Sequence, residues 1–96
     1  MHGDINGRIA AVQQMAAELR AEAVSEDGSV RVVAGPGGEV KEIDLRLNAF
    51  EMSGVELGEL TAATVKRATA DADRRLSEEI RGVVGGVFGA AQEEQL

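Results

Sequence analysis

Residues 53–84, SGVELGELTAATVKRATADADRRLSEEIRGVV, decide how this chain folds. Apolar residues recur at Leu57, Leu60, Val65, Ala68, Ala72, Leu76, Ile80 and Val83, mostly at helical steps of three or four. Ser53 stands where an N-cap belongs, and Glu56 sits where it would complete a capping box. Gly85-Gly86 reads as the stop, so the spacing predicts a helix over 54–84. At 1.5 Å per residue such a helix is roughly 45 Å long, while a compact chain of this size has a radius of gyration of about 12–13 Å. The helix must overhang whatever it packs on. An overhanging apolar stripe needs a cover, and a second copy of the same chain is the simplest one.

Upstream, Ile5, Ile9, Val12, Ala16, Leu19 and Ala23 alternate steps of four and three, which predicts a first helix over 5–23 with Asp4 as its N-cap. The segment between the helices reads as β. Glu26-Asp27-Gly28 is a turn, 29–34 is rich in valine, and Gly35-Pro36-Gly37-Gly38 is the strongest breaker in the chain. From 39 to 47 the pattern has period two, with Lys41, Ile43, Leu45 and Leu47 on one side and Val40, Glu42, Asp44 and Arg46 on the other. One apolar side predicts a half-buried strand, and the Gly/Pro loop joins it to 29–34 as a hairpin. A short strand near 23–25 completes a three-stranded antiparallel meander. The class is α+β, with one domain over 1–86 and a flexible tail over 87–96 in which Val87 and Phe88 are the residues able to dock.

A chain of 96 residues holds one domain and buries a modest core alone, which again favours association. Phe50 and Phe88 are its only aromatic residues. A core of Ala, Val, Leu, Ile and Met suits close helix packing more than a deep ligand pocket. The absence of Cys excludes disulfides and thiolate metal sites. No apolar run approaches the roughly 18 residues of a membrane span, and no secretory leader is recognisable, so the expected location is the cytoplasm. The net charge of −7 repels phosphate at long range, so any nucleic-acid contact must come from a local basic patch.

Catalysis requires convergent acids, bases or nucleophiles, and none can be assembled here. His2 is the sole histidine and lies beside the first residue. Glu78 and Glu79 are adjacent and point to different sides of a helix, and no carboxylate series has calcium-loop spacing. The expectation is a protein that is not an enzyme and needs neither metal nor cofactor. Glycines 35, 37 and 38 lie between two strands and no GK[ST] follows, so they make a hairpin turn and not a phosphate loop. The informative charges are basic. Lys66, Arg67, Arg74, Arg75 and Arg81 lie on the second helix, and Arg67, Arg74 and Arg81 repeat every seven residues along one stripe. Arginine grips phosphate with two parallel hydrogen bonds. Asp71 and Glu78 lie three or four residues from several of these arginines, close enough for intrahelical ion pairs.

The layout resembles the YbaB/EbfC family of bacterial nucleoid-associated proteins. Gln13-Gln14-Met15 is similar to the family's opening helix, and Gly28, Val30, Val32, Gly35, Ile43 and Leu45 resemble its hairpin. The closest stretch is 60–79, with Ala68, Asp71-Ala72, Arg74-Arg75-Leu76 and Glu78-Glu79. The resemblance implies a helix–three strands–helix subunit in an intertwined homodimer whose helices project like tweezers. It also implies cytoplasmic, nucleoid-associated binding of duplex DNA through its backbone, with low sequence specificity. Arg74 and Arg75 match the family's paired-arginine segment. Arg67, Lys66, Arg81, Arg8 and Arg20 join them as candidate DNA-binding residues by charge and position on the helices. The chain departs from the family in its acidity, which is like that of actinobacterial members. Its first helix sets Arg8 and Arg20 against Asp4, Glu18 and Glu22, and Arg46 stands where the family tends to place an acid. The alternative is a protein–protein interaction module of the same fold that has lost DNA binding.

Overall fold

The computed structural model describes the backbone of residues 2–95 and the side chains of residues 5–83. Helix α1 (His2–Glu18) leads into strands β1 (Ala21–Val24), β2 (Val30–Ala34) and β3 (Val40–Leu45), and helix α2 (Gly54–Gln95) closes the chain. Short 3₁₀ turns at Pro36–Gly38 and Leu47–Glu51 flank β3. The sheet is antiparallel in the order β1-β2-β3, so the meander has the predicted topology. Ala23 pairs with Val32 and Val32 with Ile43, which puts all three on one face.

That face carries the core. Val30, Val32, Ala34 and Ala23 are buried against Ala68, with Leu57, Leu60 and Val65 of α2 closing around them. A second cluster joins Leu19 and Ala21 to Ala72 and Leu76, and it anchors the end of α1. The residues of α2 nearest the sheet are small: Thr64, Ala68 and Ala72 are fully buried. Thr64 turns its hydroxyl back to the Leu60 carbonyl at 2.7 Å, so its burial leaves no unpartnered polar atom. At the start of α2, Ser53 Oγ accepts from the Glu56 amide at 3.1 Å, which is the predicted cap. The return bond from the Glu56 carboxylate is absent among the described residues.

Three expectations need correction. First, α1 stops at Glu18, five residues before the predicted end. The run from Leu19 to Ala23 satisfies helical spacing, but Ala21 and Ala23 equally satisfy period two, and pairing with Ala34 and Val32 decides the matter. The helix also begins at His2, so Asp4 lies within it instead of capping it. Second, α2 continues through Gly85 and Gly86 to Gln95, 42 residues in all. Glycine weakens a helix by about 1 kcal/mol relative to alanine but keeps its amide, so it does not compel an end as proline does. The side chains of Val87 and Phe88 lie outside the described residues. Third, β3 is not half-buried. Ile43 and Leu45 face the same side as Val32 and Val30, yet they are 47% and 36% exposed. The cause is that α2 lies across β1 and β2 and leaves β3 bare.

Two polar devices hold the meander. Between β1 and β2, one oxygen of Asp27 accepts from Ser25 Oγ at 2.7 Å, Ser29 Oγ at 2.7 Å and the Ser29 amide at 3.0 Å. Both serines are buried, and Gly28, with φ of +75°, supplies the left-handed step of the turn. Asn48 donates to the Asp27 carbonyl at 3.1 Å, tying the segment after β3 to the same turn. Across the sheet, Lys41 reaches the Ala17 carbonyl at 3.3 Å and places a cation at the C-terminal end of α1, where the helix dipole favours it.

The hydrogen bonds from Ser29 and Ser25 hold the Asp27 carboxyl below its ordinary value of 3.8. A lowered carboxyl favours the folded state when ionised. Its contribution is therefore complete at neutral pH, declines as the pH falls below the ordinary value, and is gone below the lowered one. Asp27→Asn keeps an acceptor and loses the charge. Thermal melts should show a Tm several degrees below the parent at pH 7, with the gap closing in strong acid; a gap that stays constant with pH would refute the ionic origin.

Candidate nucleic-acid interface

Helix α2 is about 63 Å long at 1.5 Å per residue, while the longest strand of the sheet has six residues. The helix alone accounts for the longest dimension of the molecule, 60 Å, and for a radius of gyration of 18.5 Å. The candidate basic residues are distributed along this rod. Lys66 and Arg67 lie over the sheet, Arg74 and Arg75 lie near the docked end of α1, and Arg81 lies on the overhang. Arg8 is exposed on α1. Arg20 is exposed too, but it belongs to the connector between α1 and β1 and not to a helix.

Their chemical states differ. Arg67 donates to the Val24 carbonyl at 3.2 Å, so its guanidinium covers the open edge of β1. Arg67 and Arg74 line one shallow cleft beside that strand with Glu22, Ala23, Ala70 and Asp71. Arg74 is clamped between two acids, with Nη2 on Asp71 Oδ1 and Nη1 on Glu78 Oε1 at 3.1 Å. Arg75 meets the other oxygen of Asp71 through Nε at 3.0 Å. Its terminal nitrogens make no hydrogen bond among the described residues. Lys66, Arg20 and Arg81 make no ion pair among the described residues. The ion pairs predicted from spacing therefore form at Arg74 and Arg75, whereas Arg67 turns to the sheet edge. The bond from Arg74, joined by the charges of Arg75 and Arg74, lowers the Asp71 carboxyl, and Asp71 in turn raises the Arg74 guanidinium.

The outer face of the sheet does not offer a second basic surface. Arg31 on β2 bridges Glu22 on β1 at 2.9 Å and Glu42 on β3 at 3.3 Å. This three-strand ladder raises the Arg31 guanidinium, mainly through Glu22, and leaves the face acidic. The glycine loop after β2 is likewise no anion cradle. Its Gly37 amide donates to Asp73 Oδ1 on α2 at 2.8 Å, so the loop fastens to a carboxylate of its own chain.

The sequence pattern places Ile43, Leu45 and Leu47 on the buried side of β3, but the structure leaves them open and sets Phe50, from the connector, beside them. Ile43, Leu45, Leu47 and Phe50 follow one another along β3 and the turn after it, and Leu47 and Phe50 are 90% and 69% exposed. Val55 at the start of α2 is exposed as well. The signal was available: one helix cannot cover three strands, and the strand farthest along the meander is the one left out.

Among the described residues there is no group of three or more side chains able to hold a metal ion, and no helix long and apolar enough to cross a membrane. A comparison with curated proteins finds no match. The family model for the YbaB/EbfC DNA-binding family, in contrast, matches residues 3–87. With the helix–meander–helix order already established, a match spanning nearly the whole chain places it plainly: this protein belongs to the YbaB/EbfC DNA-binding family.

Proposed function

We propose that the protein is a nucleoid-associated protein of the cytoplasm that binds duplex DNA as a homodimer with low sequence specificity. The observation that carries this reading is its membership of a DNA-binding family over residues 3–87. The role of each candidate residue follows from its chemistry. Arg75, Lys66 and Arg81 present cationic groups to solvent, and Arg8 and Arg20 add to them from the N-terminal side. Arg74 and Arg67 contribute after loosening their intramolecular bonds. These are contacts to phosphate, which position a duplex without reading its bases. Low specificity and a steep fall of affinity with salt are the expected result.

The dimer is supported by the bare apolar strip. Ile43, Leu45, Leu47, Phe50 and Val55 are exposed in the single chain, and burying such a strip against its own symmetry mate closes the association at two copies. Two intertwined subunits would also align two sets of arginines, which raises avidity for a linear polyanion. Residues 1–86 would then act as the dimerising and DNA-binding unit, with 87–96 as a tail appended to it.

A second reading, an interaction module that has lost DNA binding but kept a protein partner, is favoured by one observation. Asp71 and Glu78 already occupy the guanidiniums of the arginine pair that matches the family best.

Light scattering should give twice the 10.0 kDa chain mass at micromolar concentration. Replacing Leu47 and Phe50 with Asp should shift the protein to a monomer, and an unchanged mass would remove the strip from the interface. For DNA, fluorescence anisotropy with a labelled duplex at low salt should show binding that weakens by about tenfold or more for each few-fold rise in salt. Arg74→Glu with Arg75→Glu should abolish it while the dimer persists. No binding by a folded parental dimer at tens of micromolar would favour the interaction module.

A further inference from the structure

Asp71 is the one carboxylate in the described structure that holds two guanidiniums. One oxygen takes Arg74 Nη2 and the other takes Arg75 Nε at 3.0 Å. An anion with its oxygens shared between two arginines has the arrangement a phosphate would adopt in the same place. The side chain of Asp71 is 24% exposed, whereas those of Arg74 and Arg75 are 62% and 51% exposed. The carboxylate thus sits closer to the helix body and the guanidiniums lie outside it. A phosphate arriving from solvent reaches the guanidiniums first and must share them with an anion that cannot diffuse away. Glu78 adds a second, more exposed competitor on Arg74 alone.

We propose that Asp71 is a positioning residue that acts as a built-in competitor for phosphate, aiming Arg74 and Arg75 outward while limiting the affinity of the DNA contact. This inference rests on the DNA-binding reading above and adds to it a residue that sets the strength of binding. The competition is local. Asp73 is on the same helix two residues away, yet its carboxylate takes the Gly37 amide and neither arginine. Asp73→Asn therefore makes the same change in formal charge without releasing a guanidinium, and an asparagine keeps an acceptor for Gly37.

The test compares three proteins by anisotropy titration across a salt series with one labelled duplex. Asp71→Asn should bind about five- to tenfold more tightly near 0.1 M salt, and its log–log salt slope should steepen by about one for each arginine pair engaged. Asp73→Asn should change affinity about twofold or less, since its carboxylate holds the Gly37 amide and no guanidinium, and an exposed charge outside the pair contributes little. In a background carrying Arg74→Gln and Arg75→Gln, Asp71→Asn should have no more effect than Asp73→Asn, which a merely structural role for Asp71 would not produce. Glu78→Gln should give a smaller increase through Arg74 alone, and this arm carries the test if circular dichroism shows that Asp71→Asn has lost helix. The proposal is overturned if Asp71→Asn matches Asp73→Asn, weakens binding, or keeps its effect without the arginines. If the parent and every variant fail to bind, the DNA-binding reading falls with it. If the parent binds, the double Arg→Glu variant does not, and Asp71→Asn leaves affinity unchanged, only the competitor role is lost.

Discussion

The contact between α2 and the first two strands governs everything else in this molecule. It is made of small side chains: Ala68, Ala72 and Thr64 on the helix meet Ala21, Ala23, Val30, Val32 and Ala34 on the sheet. Small residues let the helix axis lie close to the sheet, and close packing is where dispersion and burial are gained with few atoms. A helix seated that tightly over β1 and β2 cannot also reach β3. The bare apolar strip is therefore a by-product of a good interface elsewhere. The same contact fixes which face of α2 is outward, and so determines where Lys66, Arg74 and Arg75 point relative to the sheet.

Charge follows a similar division. The molecule carries seventeen acidic residues against ten basic ones, but the surplus is not spread evenly. The outer sheet face holds Glu22 and Glu42 around Arg31, whereas the middle of α2 concentrates five basic residues between positions 66 and 81. Four acidic residues, Asp71, Asp73, Glu78 and Glu79, share that span, so it is nearly balanced in charge and differs from the rest of the chain mainly in lacking the acidic surplus. The intramolecular pairs at Arg74 and Arg75 moderate that stretch without erasing it, since the terminal nitrogens of Arg75 remain turned to solvent.

Much of this was legible in the sequence. The meander followed from the Gly35–Gly38 breaker, the valines of β2 and the period-two pattern of β3, and the cap at Ser53 followed from its spacing to Glu56. The core stripe of α2 was correct at Leu57, Leu60, Val65, Ala68 and Ala72. What failed was what one-dimensional periodicity cannot decide. Leu19 to Ala23 fits a helix and a strand equally, and only the partner residues on β2 choose between them. Ile43 and Leu45 have the alternation of a buried face, but whether a face is covered depends on where a distant helix lands. At the candidate site, ion pairs on Asp71 could be anticipated from i+3 and i+4 spacing, because they are local. The bond from Arg67 to Val24 spans 43 positions and could not.

The attachment of α1 has a mechanical consequence. This helix is held at its last turn, by Leu19 in the core and by Lys41 on the Ala17 carbonyl, while Ile5 and Ile9 farther along are 60% and 51% exposed. Ile5 stands about 21 Å from Leu19 along the axis at 1.5 Å per residue. A rotation of about 10° at the anchored end would therefore carry Ile5 through roughly 4 Å, a lever that turns a slight repacking around Leu19 into a large change in the gap between the two rods.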